Sequence, residues 1–184
     1  SGSQTTLITY ASTFSVSGTT YAWSNNTTSI GLGSSGSASI AAFAGTNTTN
    51  APVTATITVT PTANSCSGSP ITHTITVNPT PALSSTLTPS AICSGSTFSY
   101  TATSATQSNP TFAWSRASIT GITEGASTGS VASISETLTN TTNAPITVAY
   151  VYTVTANGCS ATNTVNVVVN PTPTVNAVTA QTVC

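Results

Sequence analysis

Along Val53–Thr60 apolar and polar residues alternate without a break. Val53, Ala55, Ile57 and Val59 fall on one side, and Thr54, Thr56, Thr58 and Thr60 on the other. A period of two over eight residues predicts a half-buried antiparallel strand. Ile71–Val77 repeats the pattern, with Ile71, His73, Ile75 and Val77 opposite three threonines. Ile146–Thr155 reads likewise, and Thr164–Val169 is a more continuous apolar strand. Shorter strands are predicted at Phe14–Val16, Tyr21–Ser24 and Ile40–Ala44, and again at Phe98–Ala102, Thr111–Ser115 and Ile134–Leu138. Turn chemistry separates them: Asn25–Asn26, the Gly-rich Gly31–Gly36, Asn50–Pro52 and Asn157–Gly158. No segment carries a convincing helical period.

The strand pattern occurs twice because the sequence does. Tyr-Ala-Trp at Tyr21–Trp23 returns as Phe-Ala-Trp at Phe112–Trp114, and TNTTNAP at Thr46–Pro52 returns unchanged at Thr139–Pro145. The pairs Trp23/Trp114, Pro52/Pro145, Cys66/Cys159, Asn78/Asn170 and Cys93/Cys184 are 91, 93, 93, 92 and 91 positions apart. A repeat of that length is a domain. Some seven short strands per repeat, with one Trp early in each, predict an all-β chain of two tandem immunoglobulin-like antiparallel β-sandwiches. A β-solenoid needs a much shorter period and ranks second. The expected domains are residues 1–80 and 81–172, with 173–184 opening a third repeat. Ser-Gly-Ser follows Cys93 and also stands at Ser1–Ser3. A cysteine is therefore expected before Ser1, in a longer array. Asn78, Pro79 and Pro81, matched by Asn170, Pro171 and Pro173, read as semi-rigid connectors that make successive domains a rod.

Composition removes several functions. Arg116, Glu124 and Glu136 are the only charged residues, and the formal net charge is −1. One cation cannot displace counterions from nucleic acid or hold an anionic membrane surface. No apolar run is long enough for a spanning helix, so membrane insertion is not expected. Low charge does not mean disorder here, because 38% of the residues are hydrophobic and regularly patterned. Ser and Thr, about two residues in five, hydrate the surface instead.

Catalytic chemistry has little to work with. A Ser/His/Asp triad lacks its Asp, and the single histidine, His73, sits among strand residues as a core or edge side chain. Glu124 and Glu136 resemble a glycosidase pair only in number, and a solvated surface role is expected for both. Calcium and magnesium require more carboxylates than the chain offers, so no cofactor or metal is expected. Lys–Asn cross-links have no Lys. Trp23 and Trp114 recur at one strand site beside an aromatic and are expected to be core anchors rather than sugar platforms. The Thr ladder of Thr54–Thr60 is replaced in part by Ala149 and Val151, which argues against an ice-binding array. Asn25, Asn26, Asn47 and Asn140 begin Asn-x-Ser/Thr patterns.

Four cysteines at one spacing, without zinc-type clustering, predict disulfides and an extracellular, oxidising setting. The repeat boundary pairs Cys93 with Cys159, Cys66 with the cysteine expected before Ser1, and Cys184 forward into the next repeat. Closing that 66-position loop is worth about 4 kcal/mol in the chain-entropy model. The alternative is Cys66–Cys93 with Cys159–Cys184.

Tyr21–Asn26 with Ser29–Leu32, the TNTTNAP motif and its following strand, Asn157–Cys159 and Asn-Pro-Thr-Pro together resemble the PKD-like, immunoglobulin-like repeats of giant cell-surface adhesins in gliding and other Bacteroidota. That resemblance, the SprB type with export by type IX secretion, implies a stalk segment at the cell surface. It carries over no tip ligand, export signal or sugar specificity, because no residue matches one. The expected function is therefore a non-enzymatic structural spacer of an adhesin or filament. Its partners are neighbouring identical repeats end to end, with lateral self-association at exposed strand edges. The alternatives are a glycan-binding module of a secreted enzyme and, for assembly, a polymer of subunits in which one chain's tail completes the sheet of the next.

Overall fold

The computed structural model describes residues 2–13, 16–107 and 109–184. They group into two compact units divided between Pro81 and Ala82, with the short segments 105–110 and 155–160 grouped with the first. Both units are all-β, as the alternation predicts.

In the first unit, β1 (Thr20–Asn25), β2 (Ser35–Ser37), β3 (Val53–Ala63), β4 (Cys66–Ser67) and β5 (Ile71–Val77) form one antiparallel sheet. β3 is its axis, pairing with β1 on one edge and with both β4 and β5 on the other. The threonines of β3 point away from the core, and Ala55, Ile57 and Val59 are buried. Across that face lies a second, looser layer, in which the bridges Gln4↔Ala44 and Ile8↔Ile40 set Ile40 and Ile8 against the core. Ile40–Ala44 is thus bridged at two points rather than forming a full strand. Phe14 and Ser15 of the expected strand at 14–16 lie outside the described residues. Between β1 and β2 a single 3-10 turn, Thr28–Ile30, buries Ile30 and ends at Gly31, whose φ of 93° favours glycine. A Cβ on Gly31 would stand 2.5 Å from the Ala44 carbonyl, so the site excludes side chains twice over.

The second unit has two complete sheets. β7 (Ser96–Thr101) pairs with β10 (Ser133–Leu138), and β6 (Ile92–Cys93), β12 (Cys159–Asn170), β11 (Ile146–Ala156), β8 (Thr111–Arg116) and β9 (Ser127–Gly129) pair in that order. Their facing residues, among them Phe98, Ile134, Val148, Tyr150, Tyr152 and Val165, make one core. Aromatic rings stack through it: Phe98 lies 5.4 Å from Tyr150, which meets Trp114 edge-on at 5.7 Å. The β6–β12 pairing is parallel, with Ile92 opposite Val169 and Cys93 opposite Asn170.

One segment distinguishes the units. In the second, residues 82–92 run along β12: the Leu83 N–H donates to Asn163 Oδ1 (3.1 Å), and the Asn166 N–H donates to the Leu87 carbonyl (2.8 Å). Leu83 and Ile92 pack on the core, and Val165, Val167 and Val169 are fully buried beneath. The equivalent positions of β5 carry no such cover among the described residues. There His73 and Ile75 are half-buried, and Ile71 is 62% exposed.

Candidate functional site

The repeated TNTTNAP motif is a buried polar knot. Asn140 Nδ2 donates to the carbonyls of Ala144 (2.8 Å) and Val169 (2.9 Å), and its Oδ1 accepts from the Thr142 N–H and hydroxyl. Asn47 makes the same bonds in the first unit, to the carbonyls of Ala51 and Val77 and from Thr49. One amide side chain therefore ties the turn before the long central strand to the end of the last strand. No other uncharged side chain offers two donors and two acceptor lone pairs at that reach except the longer Gln. The motif was legible as a repeat, but its reason was not.

A second knot occupies one place with different chemistry. At the end of β1, buried Asn25 donates from Nδ2 to the carbonyls of Thr27, Leu32 and Gly33. At the end of β8 the corresponding residue is Arg116, 3% exposed. Its guanidinium donates to the carbonyls of Glu124 and Gly125 and to Glu136 Oε2 at 3.0 Å. Both side chains brace the loop after the first Trp strand. Glu136 also accepts from the Tyr150 hydroxyl at 2.7 Å, and Glu124 accepts from the Thr139 N–H at 2.8 Å.

Arg116 and Glu136 thus form an ion pair with side chains 2% and 17% exposed, and the expectation of a solvated surface role for Glu136 is corrected; Glu124 stays partly exposed beside them. The reason is the pairing of β7 with β10 over the second core, which places Glu136 above Tyr150 and beside Arg116. Burial alone would raise the Glu136 carboxyl. Hydrogen bonds from Ser127, Tyr150 and Arg116, and the Arg116 charge, outweigh it and hold the group below the usual carboxylate range. Glu124 is likewise lowered, against desolvation, chiefly by the Thr139 backbone. Tyr150 is pushed well up, by burial first and then by Glu136. Both carboxylates accept hydrogen bonds from the fold around them.

Trp23 and Trp114 are 9% and 8% exposed and lie in the two cores. Each faces a glycine across a strand pair, Trp23 opposite Gly36 and Trp114 opposite Gly129. A Cβ on Gly129 would come within 2.6 Å of the indole, so each glycine is the floor on which its indole rests. Neither indole is open enough to stack on a sugar. His73 pairs with Tyr10, hydroxyl to Nε2 at 3.0 Å. Asn25, Asn47 and Asn140 are buried, which removes three of the four Asn-x-Ser/Thr positions as glycan sites. On the surface, threonines pair across strands, as Thr54 and Thr76 do at 2.8 Å.

The expected Cys93–Cys159 bridge is corrected, while the partners expected for Cys66 and Cys184 lie beyond these residues. Cys66, Cys93, Cys159 and Cys184 are all free thiols, so neither Cys93–Cys159 nor the alternative pairs form. Strand register supplies the reason. Cys159 opens β12, whereas Cys93 lies opposite Asn170 at its other end. Eleven residues of strand separate those ends by about 36 Å, and a disulfide needs Cα atoms within about 7 Å. Cys66 stands at the corresponding place, opposite Ala63 at the start of β4, and Cys184 ends an exposed tail. The connector residues Asn78, Pro79 and Pro81 follow β5 without regular structure, as Pro171 and Pro173 follow Asn170, the last residue of β12. Among the described residues there is no cluster of metal-ligating side chains. No helix there is long and apolar enough to cross a membrane.

Two sheets facing over a core, a buried Trp on an early strand and the same knots at one spacing define an immunoglobulin-like repeat. The PKD-like domain family matches residues 3–81 and again 90–173. The chain belongs to that family, twice over. No curated protein matches it significantly.

Proposed function

We propose that the chain is a stalk segment of a long extracellular adhesin or filament, of the SprB type displayed by gliding Bacteroidota and exported by type IX secretion. PKD-like domains are commonly structural or adhesion repeats and usually occur in extracellular or surface proteins. One observation carries the reading further: the buried side chains Asn25, Asn47, Asn140 and Arg116 all brace the fold. The Asn47 and Asn140 knots, Asn25 and the Arg116–Glu136 pair all stitch loops to strands. The stalk's work is mechanical, with neighbouring repeats joined end to end through the Asn78–Pro81 and Asn170–Pro173 connectors. A nearly uncharged surface makes such a stalk insensitive to salt.

Gold-labelled antibodies raised against the chain test this on intact producing cells by electron microscopy. The expected result is label at repeated intervals along surface filaments. Label restricted to filament tips, to the cytoplasm or to a soluble secreted enzyme would overturn it.

A further inference from the structure

We infer that Asn26 is an N-glycosylation site, whose side-chain amide accepts a sugar activated at C1 by a diphosphate. Of the four Asn-x-Ser/Thr positions it is the exposed one. Burial is not the only difference. Asn25, Asn47 and Asn140 use their amide nitrogens in the fold, each Nδ2 making a buried bond to a carbonyl, that of Leu32, Val77 or Val169. A sugar on any of those nitrogens would break a knot.

Asn26 is held the other way round. Its Oδ1 accepts from the Thr56 N–H at 2.8 Å and from the Thr27 hydroxyl at 2.9 Å. A backbone N–H only donates, so the atom facing Thr56 is the oxygen, and Nδ2 is left to solvent. Nδ2 makes no hydrogen bond among the described residues. Glycosylation yields a secondary amide whose oxygen still accepts both bonds, so the fold gives up no contact when the sugar is added.

The rest of the tripeptide is presented as firmly. Asn25 grips Thr27 by both main-chain groups, donating to its carbonyl at 3.2 Å and accepting from its N–H at 2.9 Å. The Asn26 N–H donates to the Thr56 carbonyl, so the loop leaves β1 pinned to β3. Thr28, which supplies the hydroxyl of the acceptor pattern, is exposed at the start of the 3-10 turn.

The step is a substitution at C1 without oxidation or reduction. The Nδ2–C1 bond forms as the C1–O bond breaks, the diphosphate leaves with the electron pair, and the Nδ2 proton passes to a base of the transferring enzyme. An amide nitrogen is a poor nucleophile because its lone pair is shared with Oδ1. As the proton leaves, negative charge gathers on Oδ1, where the Thr56 N–H and the Thr27 hydroxyl already stand to stabilise it. The second repeat is an internal control. Asn26 and Thr28 correspond, 91 positions on, to Ala117 and Ile119, so the same loop there offers no acceptor amide.

Mass spectrometry of peptides from the chain purified from producing cells tests this. The peptide spanning Asn26 should carry a sugar that survives mild alkali, as an amide-linked sugar does and one on Thr27 or Thr28 does not. The added mass of one hexose identifies a nucleotide sugar as donor, and that of an oligosaccharide block a lipid-linked diphosphate; either supports the inference. Asn26→Gln and Thr28→Val should lose the sugar altogether, Thr28→Ser should keep it, and unchanged tryptophan emission should show all three folded. An unmodified Asn26, an alkali-labile sugar, a sugar retained in Thr28→Val, or one on Asn25, Asn47 or Asn140 would each overturn the inference. The stalk proposal is tested separately, because antibody label along filaments does not depend on this sugar.

Discussion

Replacing Asn140 by Ala removes four hydrogen bonds at once without touching the apolar core. The Val169 carbonyl is buried, and losing its donor costs about 1–3 kcal/mol. The bonds to Ala144 and from Thr142 are part-buried and add about 0.5–1 kcal/mol each. The second unit should lose about 2.5–6 kcal/mol in all, and for a domain of this size that lowers Tm by at least about 10 °C. Asn140→Asp should do more harm, since a carboxylate would face two carbonyl oxygens with no donor. Asn143→Ala, at an exposed position of the same motif, should change stability by less than about 0.5 kcal/mol. Calorimetry measures the transitions, and amide exchange on β12 identifies which unit melts. The first unit, with its own Asn47 knot, should be unmoved. A shift below about 3 °C for Asn140→Ala, or one equal to that of Asn143→Ala, would refute the claim that the knot joins turn to strand.

Gly129→Ala should cost the second unit about 1–3 kcal/mol by overpacking against Trp114, seen as a lower Tm and a changed Trp emission. Glu136→Gln leaves Arg116 buried without its counter-charge and should cost about 3–5 kcal/mol by urea denaturation. Because the folded-state values of Glu136 and Glu124 are lowered, their stabilisation is complete above the ordinary Glu value of about 4.3 and is lost as pH falls through the folded values. The second unit's Tm should therefore drop on acidification below about pH 5, while the first unit, without Asp or Glu, shows no such drop. Titration of the denatured, unreduced chain with a thiol reagent should find four free thiols, and two would restore a bridge.

Much of the fold was legible because alternation alone specifies a strand's buried side. β3 and β5 begin where the Val-Thr and Ile-Thr patterns begin, and β5 ends where its pattern ends. The edges were harder. Ile40–Ala44 has apolar content but makes only bridges, and β12 extends back from the expected Thr164 to Cys159 through residues without clear alternation. Gly36 read as a turn glycine, because the indole that requires it lies across a strand pair. Arg116 and Glu136 are 20 positions apart, and their meeting depends on two sheets closing over Tyr150. The cysteine pairing failed for a similar reason. Spacing sets the length of a loop but not which end of a strand each thiol occupies, and β12 holds Cys93 and Cys159 apart.

Single-molecule pulling on the chain, held by handles at its two ends, tests the central claim of two self-contained load-bearing repeats. The account predicts two separate unfolding events, each releasing roughly 80 residues, or about 280 Å of extended chain. One event releasing the whole length, or extension without a force peak, would contradict it.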